Sequence, residues 1–377
     1  MRVLRVLGQL IAGLLAVVLL TPLGSAAGTV VVVNAEPPTV RGQAVFDKLL
    51  RARPGTWEPA EVTHTYAWLR NDRPIAGATG ASYRLGLDDL GARIAVVVTA
   101  THEASGESAS ATSQPTPRVR RAELRSKRLP RVEGVTRFTR TVRATPGRWS
   151  ASPTRVRYQW FRSGRPIKGA TKAAYRFVPR DVGRRVRVLV SVKAPGYSHA
   201  AAKSERLGRV GHRVGVRRTV TYRVETRGTI TTSLREFRRQ AQQTFTDPRG
   251  WRGAGVRFRP VATGGSFTLV LAQAGRVPSF SSACSSSWSC RVGRYVIINQ
   301  DRWKFASPAW NAAQGSLRDY RHMVVNHETG HWLGLGHSGC SGRGNPAPVM
   351  MQQSKGLNGC RFNPWPTGAE LASRTPR

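Results

Sequence analysis

Residues 66–85 read YAWLRNDRPIAGATGASYRL, and residues 158–177 read YQWFRSGRPIKGATKAAYRF. They are one element written twice, 92 residues apart and without a gap. Upstream, RARPGTW (51–57) matches RATPGRW (143–149), so Trp57 pairs with Trp149, as Trp68 does with Trp160. Tyr83 matches Tyr175 and Asp89 matches Asp181. Each copy then runs into an alternating, valine-rich stretch, ARIAVVVTATH (92–102) and RRVRVLVSVKA (184–194). Period-two alternation in short runs, broken by Gly, Pro and Asn/Asp turns, predicts antiparallel strands stacked as a sandwich. The tryptophans on such strands are expected in the core.

The Tyr-x-Trp strand, the hairpin after it and the later tyrosine resemble bacterial immunoglobulin-like modules. Neither copy carries cysteine, so the inter-sheet disulfide of antibody domains is missing. About 90 residues is a natural size for one such sandwich with its own core. The expected modules are 28–118 and 119–210. Their join lies in the polar, basic segment TSQPTPRVRRAELRSKRLP (112–130), and a second join lies near 204–218, rich in Arg and Gly. Residues 215–377 remain for a third, compact domain. The expected fold class is therefore multidomain: two all-β sandwiches followed by an α+β domain.

Outward to the N-terminus, Arg2 and Arg5 precede an almost wholly apolar run over 10–20, and Ser25-Ala26-Ala27 offers small residues for cleavage. This is the pattern of a secretory signal peptide over 1–27, with cleavage after Ala27 expected. The other reading is an uncleaved anchor, for which the run is short, since a span needs about 20 residues. No other apolar run approaches that length. Localisation is expected to be secreted or associated with the cell envelope.

The chain holds 60 Lys and Arg against 20 Asp and Glu, a formal charge of +40, and eight of those basic residues are lysine. A field this positive attracts anionic polymers and surfaces. Anionic cell-envelope polymers are the expected partners. The charge is spread along the chain without an aromatic-interleaved basic patch or a nucleic-acid fold motif, which argues against specific nucleic-acid recognition.

In the C-terminal third, TVTYRVETR (219–227) alternates as a strand, and SLREFRRQAQQTF (233–245) reads as a helix capped by Ser233 or Thr232. GVRFRPV, SFTLVLA and RYVIINQ read as further strands. Residues 316–333, SLRDYRHMVVNHETGHWL, read as a helix opened by a serine cap. On it His327 and His331 stand four apart, one turn above the other on one face. Two neutral imidazoles so placed can bind one zinc ion. Gly334 lets the chain leave the helix, and His337 returns as a third ligand. Three protein ligands leave the fourth position of a tetrahedral ion open for chemistry. Glu328 sits beside the first ligand, where it can act as general base on water activated by the metal. His322, five residues before His327, points to another face and reads as structural.

The string HETGHWLGLGH followed by Ser338 has the form HExxHxxGxxHS, and here the sequence resembles the metzincin zinc peptidases, in particular their matrixin branch. It is also similar to an uncharacterised family of secreted actinobacterial proteins thought to be metzincin-like. The resemblance spans roughly 215–365. It implies a methionine turn beneath the metal; Met350, after Pro348-Val349, is the choice, with Met351 as the alternative. It implies Zn2+ as cofactor, peptide-bond hydrolysis as activity, and an edge strand, 293–299 or its neighbour, that pairs with extended substrate. The tyrosine some relatives place after the turn is missing from 352–363, and no cysteine upstream of Cys284 can serve as a thiol latch.

Cys284, Cys290, Cys340 and Cys360 all lie in the last hundred residues. An even count in an exported chain suggests two disulfides, and four cysteines allow three pairings. Pairs nearest in sequence are favoured, 284 with 290 and 340 with 360. The alternative, Cys340 as a metal thiolate, would close the open zinc position. Two functional classes remain. The leading one is a secreted zinc endopeptidase acting on protein or peptide. The other is an envelope-binding protein whose metal domain is inert or structural.

Overall fold

The computed structural model describes residues 30–373; the expected signal segment lies outside the described residues. The chain divides after Ala122 into two compact units.

In the first unit, strand β1 (Val62–Arg70) pairs antiparallel with β2 (Ile94–His102), which continues into Ser108–Thr112. A three-stranded sheet of Thr39–Arg41, Leu49–Arg53 and Ser82–Arg84 faces it. Alternation does the sorting. Ile94, Val96 and Val98 are fully buried and pack with Leu50 and Trp68 between the sheets. Trp68 stacks on Tyr83 at 5.7 Å and donates its indole N–H to the Gly80 carbonyl at 2.9 Å, so its polar edge is satisfied inside the core.

The second unit opens with the same sandwich. Strand β3 (Arg155–Arg162) pairs with β4 (Val186–Lys193). Trp160 is fully buried, stacks on Tyr175 at 5.3 Å, and donates to the Lys172 carbonyl. In both sandwiches an arginine at the end of the Tyr-x-Trp strand meets the matching buried aspartate, Arg70 with Asp89 at 2.7 Å and Arg162 with Asp181 at 2.6 Å. The matching tyrosines donate to the same carboxylates. Burial pushes the Tyr175 phenol up to about 12, and its bond to Asp181 adds to the shift. These tryptophans are core residues, as their place on the strands implied.

The first boundary differs from the expected 118/119. Val119 is buried, and Gly91 donates to its carbonyl; Phe46 donates to the Arg120 carbonyl. These bonds carry the first sandwich through Arg120. Near 210–215 there is no break into separate units: Arg252 donates to the carbonyls of Val214 and Gly215, so the segment after the second sandwich is held against the C-terminal domain.

Beyond it lies a five-stranded sheet. Its central strands are β5 (Arg218–Arg227), β7 (Phe267–Ala272) and β9 (Tyr295–Asn299), mutually parallel; β6 (Val256–Pro260) lies parallel on one edge and β8 (Cys290–Val292) antiparallel on the other. Helix α1 (Leu234–Thr246) is capped by Ser233 accepting from the Glu236 N–H, and it turns Phe237, Ala241 and Phe245 inward at four-residue spacing. Helix α2 (Leu317–Trp332) is capped by Ser316, which accepts from the Asp319 N–H. Both helices pack on the sheet, with Tyr320, Met323 and Val324 of α2 in the shared core. Arg321 bridges to Glu236 at 2.8 Å and donates to the Trp303 carbonyl, so α2 is fixed in rotation as well as position. Two disulfides form, Cys284–Cys290 and Cys340–Cys360, in the expected pairing. Among the described residues no helix is long and apolar enough to cross a membrane.

Candidate metal centre

Helix α2 carries His327 and His331 on one face and ends one residue after His331, at Trp332. Leu333 keeps helical angles, and Gly334 takes the left-handed conformation at φ +91°, donating to the His331 carbonyl at 2.9 Å. A side chain there would be strained, so glycine sets the exit. The reversal brings His337 back against the helix. The Nε2 of His331 lies 3.1 Å from the Nε2 of His327 and 3.1 Å from that of His337.

That geometry suits one small cation. Nitrogens at about 2.1 Å from a tetrahedral ion stand somewhat over 3 Å apart. The far nitrogens are oriented too: His327 Nδ1 lies 2.8 Å from the Val349 carbonyl, and His331 Nδ1 lies 2.8 Å from that of Leu335. A carbonyl only accepts, so each Nδ1 carries the proton and each Nε2 presents a lone pair. Burial lowers the His327 imidazole to about 3, with His331 adding to the effect. Burial also lowers His331 and, together with Lys355, His337. All three are neutral near pH 7, the state in which imidazole ligates. This trio is a group able to hold a metal ion.

Glu328 sits beside them on the helix, almost wholly buried, and burial raises its carboxyl to about 8 while Arg291 opposes the shift. A cation at the imidazoles would stabilise the carboxylate form further. A cleft of about 330 Å³ opens over the site, lined by the three histidines, Glu328, Trp288, Arg291 and Lys355 among others.

The floor comes from the loop after His337. Met350 is fully buried and packs against Gly330, between the two helix histidines. A Cβ added to Gly330 would overlap the Met350 sulfur and come within 2.9 Å of Trp251. Met351 turns the other way and packs with Ala347, Leu357 and the Cys340–Cys360 bridge. Of the two methionines, therefore, Met350 lies under the helix. Ser338 donates its N–H to the Met350 carbonyl at 3.2 Å, tying the third histidine's loop to this floor. Cys340 is in a disulfide and offers no thiolate to a metal. His322 lies away from the trio, with Nδ1 2.8 Å from the Thr244 hydroxyl and its ring against Trp365, in keeping with a structural role.

Four residues of the site were not singled out in the sequence. Glu370, on helix α3 (Gly368–Ser373), accepts from the N–H groups of Val349 and Met350 at 3.1 and 2.8 Å, and so fixes the floor. The Thr367-x-x-Glu370 capping box was visible as a local signal; its reach to the loop was not. Gly330, Arg291 and Lys355 carry no local signal. Of the strand 293–299 and its neighbour, it is the neighbour, β8, that lies on an edge, while β9 lies inside the sheet.

Residues 193–365 match a family model described as "Protein of unknown function (DUF3152)". No curated protein matches the chain. Among solved structures, the three N-terminal domains of the Highly Immunogenic Outer Capsid protein (Hoc) of bacteriophage RB49 are 17% identical, with a TM-score of 0.23 over 52% of this chain and 66% of that one. Immunoglobulin domains 1–5 of Sidekick-1 are 14% identical, with a TM-score of 0.19 over 52% of this chain and 42% of that one. Fibronectin(III)-like modules of Clostridium thermocellum CbhA are 10% identical, with a TM-score of 0.16 over 44% and 92%. The chain thus spans less than two thirds of the first two structures.

Proposed function

We propose that the C-terminal domain is a metzincin-like zinc endopeptidase, exported to the cell envelope or beyond, and that the two sandwiches position it there. One observation carries the reading: three Nε2 atoms converge at 3.1 Å spacings beside a buried carboxylate, in the wall of a cleft. His327, His331 and His337 would hold the zinc. Bound there, a divalent ion supplies Lewis acidity to a scissile carbonyl and lowers the pKa of water. Glu328 takes the proton from the attacking water and passes it to the departing amine. Strand β8 offers an unpaired edge along the cleft, where an extended peptide can add as a further strand. Met350 and Glu370 do no chemistry; they hold the backbone whose Val349 carbonyl orients His327.

The test uses the full mature chain. With one equivalent of zinc it should cleave an unfolded protein, and a chelator should stop it. Glu328→Ala should retain stoichiometric zinc and lose hydrolysis by 10²-fold or more, the order expected for removing a general base. Cleavage by this variant at the parent rate, or folded parent protein that binds no metal, would refute the proposal.

A further inference from the structure

The second sandwich carries a feature that the first does not, although the two share one scaffold. A cleft of about 460 Å³ is lined by Ser163, Gly164 and five arginines, Arg184, Arg185, Arg187, Arg206 and Arg209. They come from the turn after β3, from the start of β4, and from the segment after the sandwich's last strand. Among the described residues none of the five is in an ion pair. Arg209 alone is pinned, donating to the Gly183 carbonyl at 2.8 Å. The nearest acid in chain order on one side is Asp181, whose carboxylate is already held by Arg162, Tyr175 and the Val178 N–H. On the other side it is the exposed Glu205, next to Arg206.

The first sandwich supplies an internal control. Equivalent hydrogen bonds align the copies through this region: Gly91 donates to Val119 as Gly183 does to Val210, and Arg118 donates to Gly91 as Arg209 does to Gly183. On that alignment Arg185 and Arg209 match Arg93 and Arg118. Arg184, Arg187 and Arg206 match Ala92, Ala95 and Pro115, and Gly164 matches Asp72. One copy therefore gathers five cations where the other has two cations and an acid. General arginine enrichment acts on both copies alike and does not account for this local contrast.

We propose that this cleft binds the phosphate groups of an anionic phosphodiester polymer of the polyol-phosphate kind. Each guanidinium presents a planar fork of donors and no acceptor, which matches phosphate oxygens. Five forks from two chain segments, 184–187 and 206–209, can engage successive phosphates, whereas one small anion would leave most of the cleft to water. No aromatic side chain lines it. A nucleic acid would find no surface on which to stack its bases. The proposal does not depend on the peptidase reading.

The experiment measures binding of the full mature chain to poly(glycerol phosphate) in about 0.15 M salt. The cleft variant is Arg184→Ala/Arg187→Ala/Arg206→Ala. The charge-matched control is Arg41→Ala/Arg51→Ala/Arg53→Ala, at three exposed positions of the first sandwich. Three lost phosphate contacts should weaken the cleft variant at least tenfold and lower the salt slope by about 2, while the control changes less than about twofold. Single Arg184→Gln and Arg206→Gln variants, at exposed positions, should each lose several-fold with an unchanged melt. Equal losses in cleft variant and control would overturn the proposal, because a diffuse field would then suffice. So would polyglutamate binding as tightly as the polyol phosphate, or single-stranded DNA binding more tightly per phosphate.

Discussion

Replacing Gly330 by alanine sets two small energies against each other. In a helix interior, alanine is favoured over glycine by about 1 kcal/mol. Gly330 is buried, however, and its missing side chain is the space in which Met350 and Trp251 pack. The new methyl would overlap the methionine sulfur, stand 3.2 Å from its Cε and lie 2.9 Å from the Trp251 ring. Overpacking of this kind costs about 1–3 kcal/mol. Met350 can yield in part, but Trp251 is held by its indole N–H on the Asn326 carbonyl at 3.0 Å. The balance is a net loss of about 1 kcal/mol, with α2 pushed off its floor between two histidines. Zinc affinity should fall about tenfold, the lower end of what loss of an orienting contact costs. Urea denaturation and a metal-competition titration read the two effects. Met350→Ala alone costs about 2–5 kcal/mol through the cavity it leaves, and that cavity is where the new methyl would go. The double variant should therefore be more stable than the sum of the singles by at least about 1 kcal/mol. A Gly330→Ala protein as stable as the parent, or strict additivity with Met350→Ala, would refute this packing argument.

Three further expectations concern stability. Asp181→Ala strands the Arg162 guanidinium and the Tyr175 hydroxyl at a carboxylate that is fully buried. It should cost about 3 kcal/mol, against a far smaller effect for breaking the solvent-exposed Arg125–Glu123 pair, and calorimetry of the two variants compares them. Burial, aided by Arg318, lowers the His322 imidazole to about 4 from an ordinary 6.5. The folded group stays neutral while the unfolded one protonates. Its stabilising share is thus whole above pH 6.5 and drains away as pH falls toward 4, by about 2 kcal/mol after allowance for partial solvent access. His322→Gln should flatten that part of the stability profile; an unchanged slope between pH 6.5 and 4 speaks against the assignment. Replacing Cys340 and Cys360 by serine opens a loop of 20-residue separation, worth about 3 kcal/mol by chain entropy. It should also make the loop bearing Met350 exchange its amide protons faster; unchanged exchange would mean that Glu370 alone holds the loop.

How much the sequence disclosed depends on the range of the forces involved. Period-two runs report burial directly, so the sandwich strands and the interior place of Trp68 and Trp160 were open to reading. Four of the five strands of the C-terminal sheet and both long helices were legible from their apolar patterns, the three-residue β8 being too short to show one, and Ser233 and Ser316 announce their helices by local capping. His327 and His331 share a face through helix periodicity alone, and Gly334 signals the reversal that brings His337 round. Contacts between elements distant in sequence had no such signature. Glu370 reaches Val349 and Met350 from another segment, and nothing near Gly330 indicates that a methionine fills its empty side. The arginine cleft was hidden for a related reason. Its arginines lie in two separate segments, and amid so much positive charge nothing in the linear sequence marks their convergence.

The clamp at Glu370 bears on when the site can exist. A chain emerging from the ribosome exposes its three imidazoles well before the carboxylate that fastens the backbone of residues 349 and 350. Until Glu370 docks, the backbone whose Val349 carbonyl orients His327 lacks one of its fastenings. Losing the segment that bears Glu370 would therefore loosen the support of His327 while leaving all three imidazoles in the chain.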